Sequence, residues 1–154
     1  DTLTRLLNRR SYESRLASLR GHAVIYYLDV DEFKSVNDTF GHGVGDAVLA
    51  EVGSTIHAVF SKVGYCYRIG GDEFCVIAQI SDTAAEKYLS EFLRELTAQR
   101  VKNEHLPHVS VGYACFNPVL GSVEDAIKRA DRMMYHYKRK LKSEALTNDD
   151  TVKS

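Results

Sequence analysis

Two acidic clusters hold the chemistry open to this chain. Asp29 and Asp31 flank Val30 at the end of an apolar run, and Asp72 and Glu73 follow the pair Gly70-Gly71 between two further apolar runs. Carboxylates crowded without basic partners repel one another, and a hard divalent cation is the simplest remedy. In Arg68-Ile69-Gly70-Gly71-Asp72-Glu73-Phe74 the glycines permit positive φ and leave no side chain in the path of a ligand's phosphates. Each cluster alone also fits a plain alternative, a solvated hairpin turn for the second and a strand end meeting water for the first. What separates the readings is whether the fold brings the clusters together.

The elements that would position them can be read from periodicity. Residues 23–28 are near-continuously apolar, as in a strand covered on both faces. Because side chains alternate along a strand, Asp29 and Asp31 share a face at its end while Val30 turns away. Residues 65–69 and 74–78 form short strands joined by the glycine turn. Asn8 caps a helix over 9–19, ended by Gly21, and a short helix covers 33–40 until Gly41-His42-Gly43 breaks it. Spacings of three and four predict a helix over 44–60 through Leu49, Val52 and Ile56. Thr83 and Glu86 read as a capping box opening a helix to about residue 100, with Leu89, Phe92, Leu93 and Leu96 inward. A loop over 101–108, a strand over 109–114 and a helix over 123–141 follow. That last helix points Ile127, Ala130, Met134, Tyr137 and Leu141 inward. Residues 143–154 are polar and aperiodic and read as a flexible tail, leaving 1–142 as the domain.

The core order β-α-β-β-α-β is the ferredoxin-like, palm-type α+β arrangement. In it the first and third strands are central and antiparallel. The Asp29 end of one then lies beside the hairpin tip of the other, so Asp29, Asp31, Asp72 and Glu73 are expected to converge at one sheet edge.

Composition sets outer bounds. At 154 residues and 44% hydrophobic content the chain fits one domain that buries roughly two thirds of its surface. Twenty basic and 21 acidic residues give a formal charge of −1, which argues against a nucleic-acid strand as partner. Any phosphate must therefore be met by local groups. The three cysteines, Cys66, Cys75 and Cys115, fall in expected strands, with neither zinc nor disulfide spacing. No apolar run is long enough to enter a membrane, and a chain that begins at Asp1 reads as a soluble segment of a longer protein. His105-x-x-His108 reads as loop rather than metal site.

These residues also carry a resemblance. The runs Asp1-x-Leu3-Thr4-x-Leu6-x-Asn8-Arg9-Arg10, Asp29-x-Asp31-x-Phe33-Lys34-x-x-Asn37-Asp38-x-x-Gly41-His42-x-x-Gly45-Asp46, Arg68-x-Gly70-Gly71-Asp72-Glu73-Phe74 and Ala130-Asp131-x-x-Met134-Tyr135-x-x-Lys138 occur in that order. Together they resemble a GGDEF domain, of the diguanylate cyclase family that condenses two GTP into cyclic di-GMP. The resemblance implies that Asp29, the Val30 carbonyl and Asp72, with Glu73 beside them, hold Mg2+, or Mn2+ in its place. It makes Asp72 the acceptor of the ribose 3′-hydroxyl proton and Lys34 a stabiliser of transition-state charge. Backbone amides at Phe33 and Lys34 would cradle phosphates, the nucleotide would cross Gly70 and Gly71, and Lys138 and Lys142 would meet the phosphate tail. Asn37 and Asp46 would contact guanine, whose N1 and N2 donors suit a carboxylate and whose O6 or N3 suits an amide donor. Catalysis in this family needs a second copy of the domain, under an upstream sensory domain, and implies a cytoplasmic setting.

Two departures stand out. The family's inhibitory product site is Arg-x-x-Asp, ending five residues before the glycine pair, and here those positions read Ser61-Lys62-Val63-Gly64. Neither partner is present, so no product inhibition is expected there. The last helix continues Lys138-Arg139-Lys140-Leu141-Lys142-Ser143, without the family's usual glycine and Arg-Asn pair, which puts the Lys142 contact and a final strand in question. The competing function is a non-catalytic GTP-binding signalling module, and a third is a polymerase-like palm.

Overall fold

The apolar run near residue 23 becomes strand β1 (Ala23–Val30), in which every residue but Tyr27 is buried. In the computed structural model, which describes the backbone of residues 1–153 and the side chains of residues 1–146, β1 lies at the centre of a sheet. It runs antiparallel to β3 (Glu73–Ala78) on one side and β4 (Val109–Phe116) on the other. Strand β2 (Gly64–Arg68) pairs with β3 and completes the order β2-β3-β1-β4. Among the described residues the helices are α1 (Arg9–Ser18), α2 (Phe33–Phe40), α3 (His42–Phe60), α4 (Ala85–Lys102) and α5 (Val123–Lys153). The result is the expected α+β, palm-type arrangement.

Each sheet face closes its own core. Val24, Tyr26, Leu28 and Val30 meet the apolar faces of α3 and α4, including Val52, Ile56, Phe60 and Phe92. Ile25, Tyr67, Cys75 and Ile77 meet Tyr12 of α1 and Ala126 and Ala130 of α5 on the other side. Burying β1 on both faces is why its sequence shows no polar alternation. The Asn8 side chain accepts from the Ser11 amide and starts α1 as expected. Strand register and helix faces thus follow the hydrophobic pattern closely.

Three local expectations are corrected. A single left-handed glycine, Gly41 at φ 90°, turns α2 directly into α3, so α3 begins at His42 rather than 44. The Thr83–Glu86 capping box does not form. Thr83 sits in a 3-10 turn (Asp82–Ala84) paired with the Ser81 hydroxyl, while the Glu86 carboxylate accepts from Tyr113 Oη at 2.7 Å. A partner on β4 has outcompeted the local cap. The segment from residue 143 continues α5 to Lys153 rather than ending it at 141, and no strand follows among the described residues. Nothing after Gly121 breaks a helix, since neither glycine nor proline occurs there. The side chains of 147–154, within the stretch expected to be a flexible tail, lie outside the described residues.

One packing detail reaches the site. A methyl on Gly112 of β4 would overlap the Ala130 carbonyl and lie 2.9 Å from the Met133 carbonyl carbon. Only glycine lets α5 sit on the strand at this distance, which sets how far its lysines reach toward β1. The cysteine thiols are free, and burial alone pushes Cys66 up to about 12, so it is inert at neutral pH. No helix among the described residues is long and apolar enough to cross a membrane.

Candidate active site

Register between the two central strands builds the site. Asp29 stands opposite Glu73, and the Val30 amide donates to the Asp72 carbonyl at 3.1 Å, so the end of β1 is clamped to the hairpin tip. Asp72 stands in the turn beside Val30, and its carboxylate comes close enough to that of Asp29 for the two to interact. Burial, and then the Asp29 charge, raise the Asp72 carboxyl above the ordinary aspartate range. Lys138 of α5 reaches in from the side and donates from Nζ to Asp29 Oδ2 at 2.9 Å, with side chains 36% and 13% exposed. That bond holds the ammonium above its usual pKa. A protein cation thus already balances half of an opposed carboxylate pair.

The convergence is narrower than expected. Asp31 is diverted, because the fully buried Ser110 hydroxyl donates to both of its oxygens at 2.7 and 2.9 Å, and its amide donates to the His108 carbonyl. Burial raises the Asp31 carboxyl too, while Ser110 and Lys138 pull it back. Glu73 shares a sheet face with Asp29 yet folds over the turn, its Oε2 2.9 Å from where a methyl on Gly70 would be. Gly70 therefore makes room for Glu73 as well as for a ligand, whereas the space beside Gly71 is open. Among the described residues no three His, Cys, Asp or Glu side chains form a ready cation cage. Two carboxylates and the Val30 carbonyl remain, a donor set that fits a hard divalent cation completing its shell with substrate phosphates and water.

Around this centre the remaining expected residues fall on two arms. Glu32, left-handed at φ 56°, starts α2 immediately after β1 with no side-chain cap, leaving first-turn amides at Phe33 and Lys34 for an anion. The Lys34 side chain is exposed. Asn37 is half-buried against Gly45, and the exposed Asp46 follows on α3, so both guanine candidates occupy one corner. On the other arm Lys138 and Lys142 line one pocket of about 120 Å³ with Asp31, Glu32, His108 and Leu141. The two lysines do share a face of α5.

Sequence reasoning missed the fasteners. Arg68 donates to the Gly71 carbonyl from Nη2 (2.8 Å) and Nε (3.2 Å), and to the Asp1 carboxylate at 3.3 Å. Arg9 donates to the Ile69 carbonyl at 3.0 Å, and Leu7 bridges to β2 in parallel. The charged positions of the first and third motifs thus hold the turn rigid from behind. Ser110, a polar residue inside an apolar strand, was the visible signal for the Asp31 partner. His105 packs its ring on Phe40 at 4.2 Å, and His108 has its pKa lowered by burial and Arg100. At the product-site position, a methyl on Gly64 would lie 2.5 Å from the Ile77 carbonyl oxygen and 2.7 Å from the Ala78 Cα. That place on β2 admits no side chain, and Ser61 is exposed.

Comparison with known proteins agrees with this geometry. The family described as "Diguanylate cyclase, GGDEF domain" matches residues 1–144. A probable diguanylate cyclase, DgcC of Escherichia coli, is 34% identical over 90% of this chain, and a diguanylate cyclase of Vibrio cholerae serotype O1 is 30% identical over 90%. The chain spans 40% and 46% of their respective lengths, less than half of each. Among solved structures, the GGDEF domain of DgcB from Caulobacter crescentus in complex with c-di-GMP superposes with a TM-score of 0.79 at 32% identity, covering 91% of this chain and 90% of that one.

Proposed function

This chain belongs to the GGDEF-domain family of diguanylate cyclases, and we propose that it condenses two GTP into cyclic di-GMP with loss of two pyrophosphates. The observation that carries the reading is the adjacent Asp29–Asp72 pair, held where the Val30 amide clamps the Asp72 carbonyl and balanced in part by Lys138. The chemistry follows from these groups. Asp72 takes the proton of the ribose 3′-hydroxyl. The freed oxygen forms a bond to the α-phosphorus of the second GTP while the bond to the pyrophosphate oxygen breaks, and a second such step closes the ring. A divalent cation held by Asp29, the Val30 carbonyl and Asp72, Mg2+ or Mn2+, would compensate phosphate charge and ease ionisation of the hydroxyl.

The chain's own groups do the rest. Amides at Phe33 and Lys34 bind phosphate, the Lys34 ammonium stabilises charge developing in the transition state, and Glu73 beside the turn would supply further negative charge to hold a cation. The nucleotide passes over Gly70 and Gly71. Lys138 exchanges Asp29 for the phosphate tail on GTP binding, with Lys142 one turn on. Asn37 and Asp46 select guanine. Each domain holds one GTP, so turnover requires two copies face to face, brought together by a preceding sensory domain in the cytoplasm, where GTP resides. Incubating the protein with GTP and Mg2+ should yield cyclic di-GMP, and Asp72→Ala should yield none. GTP binding without product, even in artificially dimerised protein, would instead assign a non-catalytic binding module.

A further inference from the structure

The α2–α3 corner shows a dependence that residue types alone do not reveal. The Gly41 amide donates to the Asn37 carbonyl at 2.9 Å, and the Gly45 amide donates to the Gly41 carbonyl at 3.2 Å, so two backbone hydrogen bonds fix the distance from Asn37 to Gly45. The Asn37 side chain lies in the space that remains. A methyl on Gly45 would overlap Asn37 Oδ1, lie 2.9 Å from its Cγ and come within 3.4 Å of the tip of the Phe33 ring. Gly45 is buried, and Asn37 is half-buried.

We propose that Gly45 is the positioning residue of the base subsite: its bare Cα is the wall against which the Asn37 amide is set, and guanine recognition depends on it. With one end of the planar amide packed against Gly45, the other end is turned away from that wall, where as the NH2 it presents the donor that a guanine O6 or N3 needs. A methyl cannot be absorbed by shifting the backbone, which the two hydrogen bonds hold. It must rotate the amide out of its place. Asp46, the next residue, keeps its own backbone position, so the loss would fall on Asn37 alone. The inference rests on the cyclase reading, since it presumes a guanine nucleotide in this corner.

The test is equilibrium titration of the full chain, in Mg2+, with the non-hydrolysable α,β-methylene analogue of GTP. Four proteins are compared: wild type, Gly45→Ala, Asn37→Ala and the double variant. The expected result is a loss of affinity of about tenfold for Gly45→Ala and a similar loss for Asn37→Ala, the worth of one or two base hydrogen bonds. The double variant should bind no more weakly and melt no lower than Asn37→Ala, because truncating Asn37 frees the space for the methyl. Wild-type affinity in Gly45→Ala, or losses that multiply in the double variant, would overturn the inference, and so would a double variant that melts below Asn37→Ala. If wild type itself does not bind the analogue, the cyclase reading falls and this inference with it.

Discussion

Asp29 and Asp31 leave the same strand end two positions apart, yet they enter different chemistries. Asp31 is satisfied within the fold by a buried serine hydroxyl on β4. Asp29 lies against a second carboxylate, that of Asp72 in the hairpin turn, and is met by Lys138 from α5. A carboxylate satisfied by a buried neutral donor is structure, whereas one set against its like and shared with a half-exposed lysine is a site. The difference is made by the neighbouring strands and not by the two aspartates, which look alike in the sequence.

Replacing the two aspartates in turn breaks the comparison most severely. Asp29→Asn should lower cyclic di-GMP formation on the order of a thousandfold, while Asp31→Asn, which can still pair with Ser110, should lower it about tenfold or less. Steady-state rates with GTP and Mg2+ decide this, and equal losses would erase the distinction. Next comes the distance of α5. Gly112→Ala forces the helix off β4 and should cost about 1–3 kcal/mol of stability by denaturant unfolding, with weaker GTP binding as Lys138 retreats. An unchanged midpoint would show that the close seating is not needed.

The opposed pair should also be visible in pH. The Asp72 carboxyl is raised on folding, so without a cation its contribution to stability is present below the unfolded pKa and is lost as pH rises through the folded one. Unfolding midpoints of the metal-free protein should therefore fall as pH climbs through a step above the ordinary aspartate value of about 3.9. Added Mg2+ should offset the fall, and Asp72→Asn should remove the step. The smallest effect belongs to β2. Cyclic di-GMP should not slow the enzyme through residues 61–64, where Gly64 leaves no space for an acid, and inhibition that disappears on changing Ser61 would contradict this.

Much of this was legible beforehand. The apolar run of β1, the glycine hairpin and the helix stripes gave the strand order, and that order placed Asp29 beside Asp72. What could not be read were contacts set by register or by distant partners. Ser110 draws Asp31 aside, Tyr113 takes Glu86 from its expected cap, and Arg9 and Arg68 grip the turn from segments far apart in sequence. Glu73 was expected among the cation ligands from its place at the hairpin tip and from the family resemblance. Its bend over Gly70 is a rotamer choice that spacing does not encode.

The most direct test is to quantify cyclic di-GMP made from GTP and Mg2+ by wild type and Asp72→Asn over a range of protein concentrations. The expected result is product from wild type that rises more steeply than linearly with protein, as a two-domain reaction requires, and none from Asp72→Asn. Product from the variant at the wild-type rate, or none from wild type under conditions where it is dimeric and binds GTP, would contradict a composite site built on the Asp29–Asp72 pair.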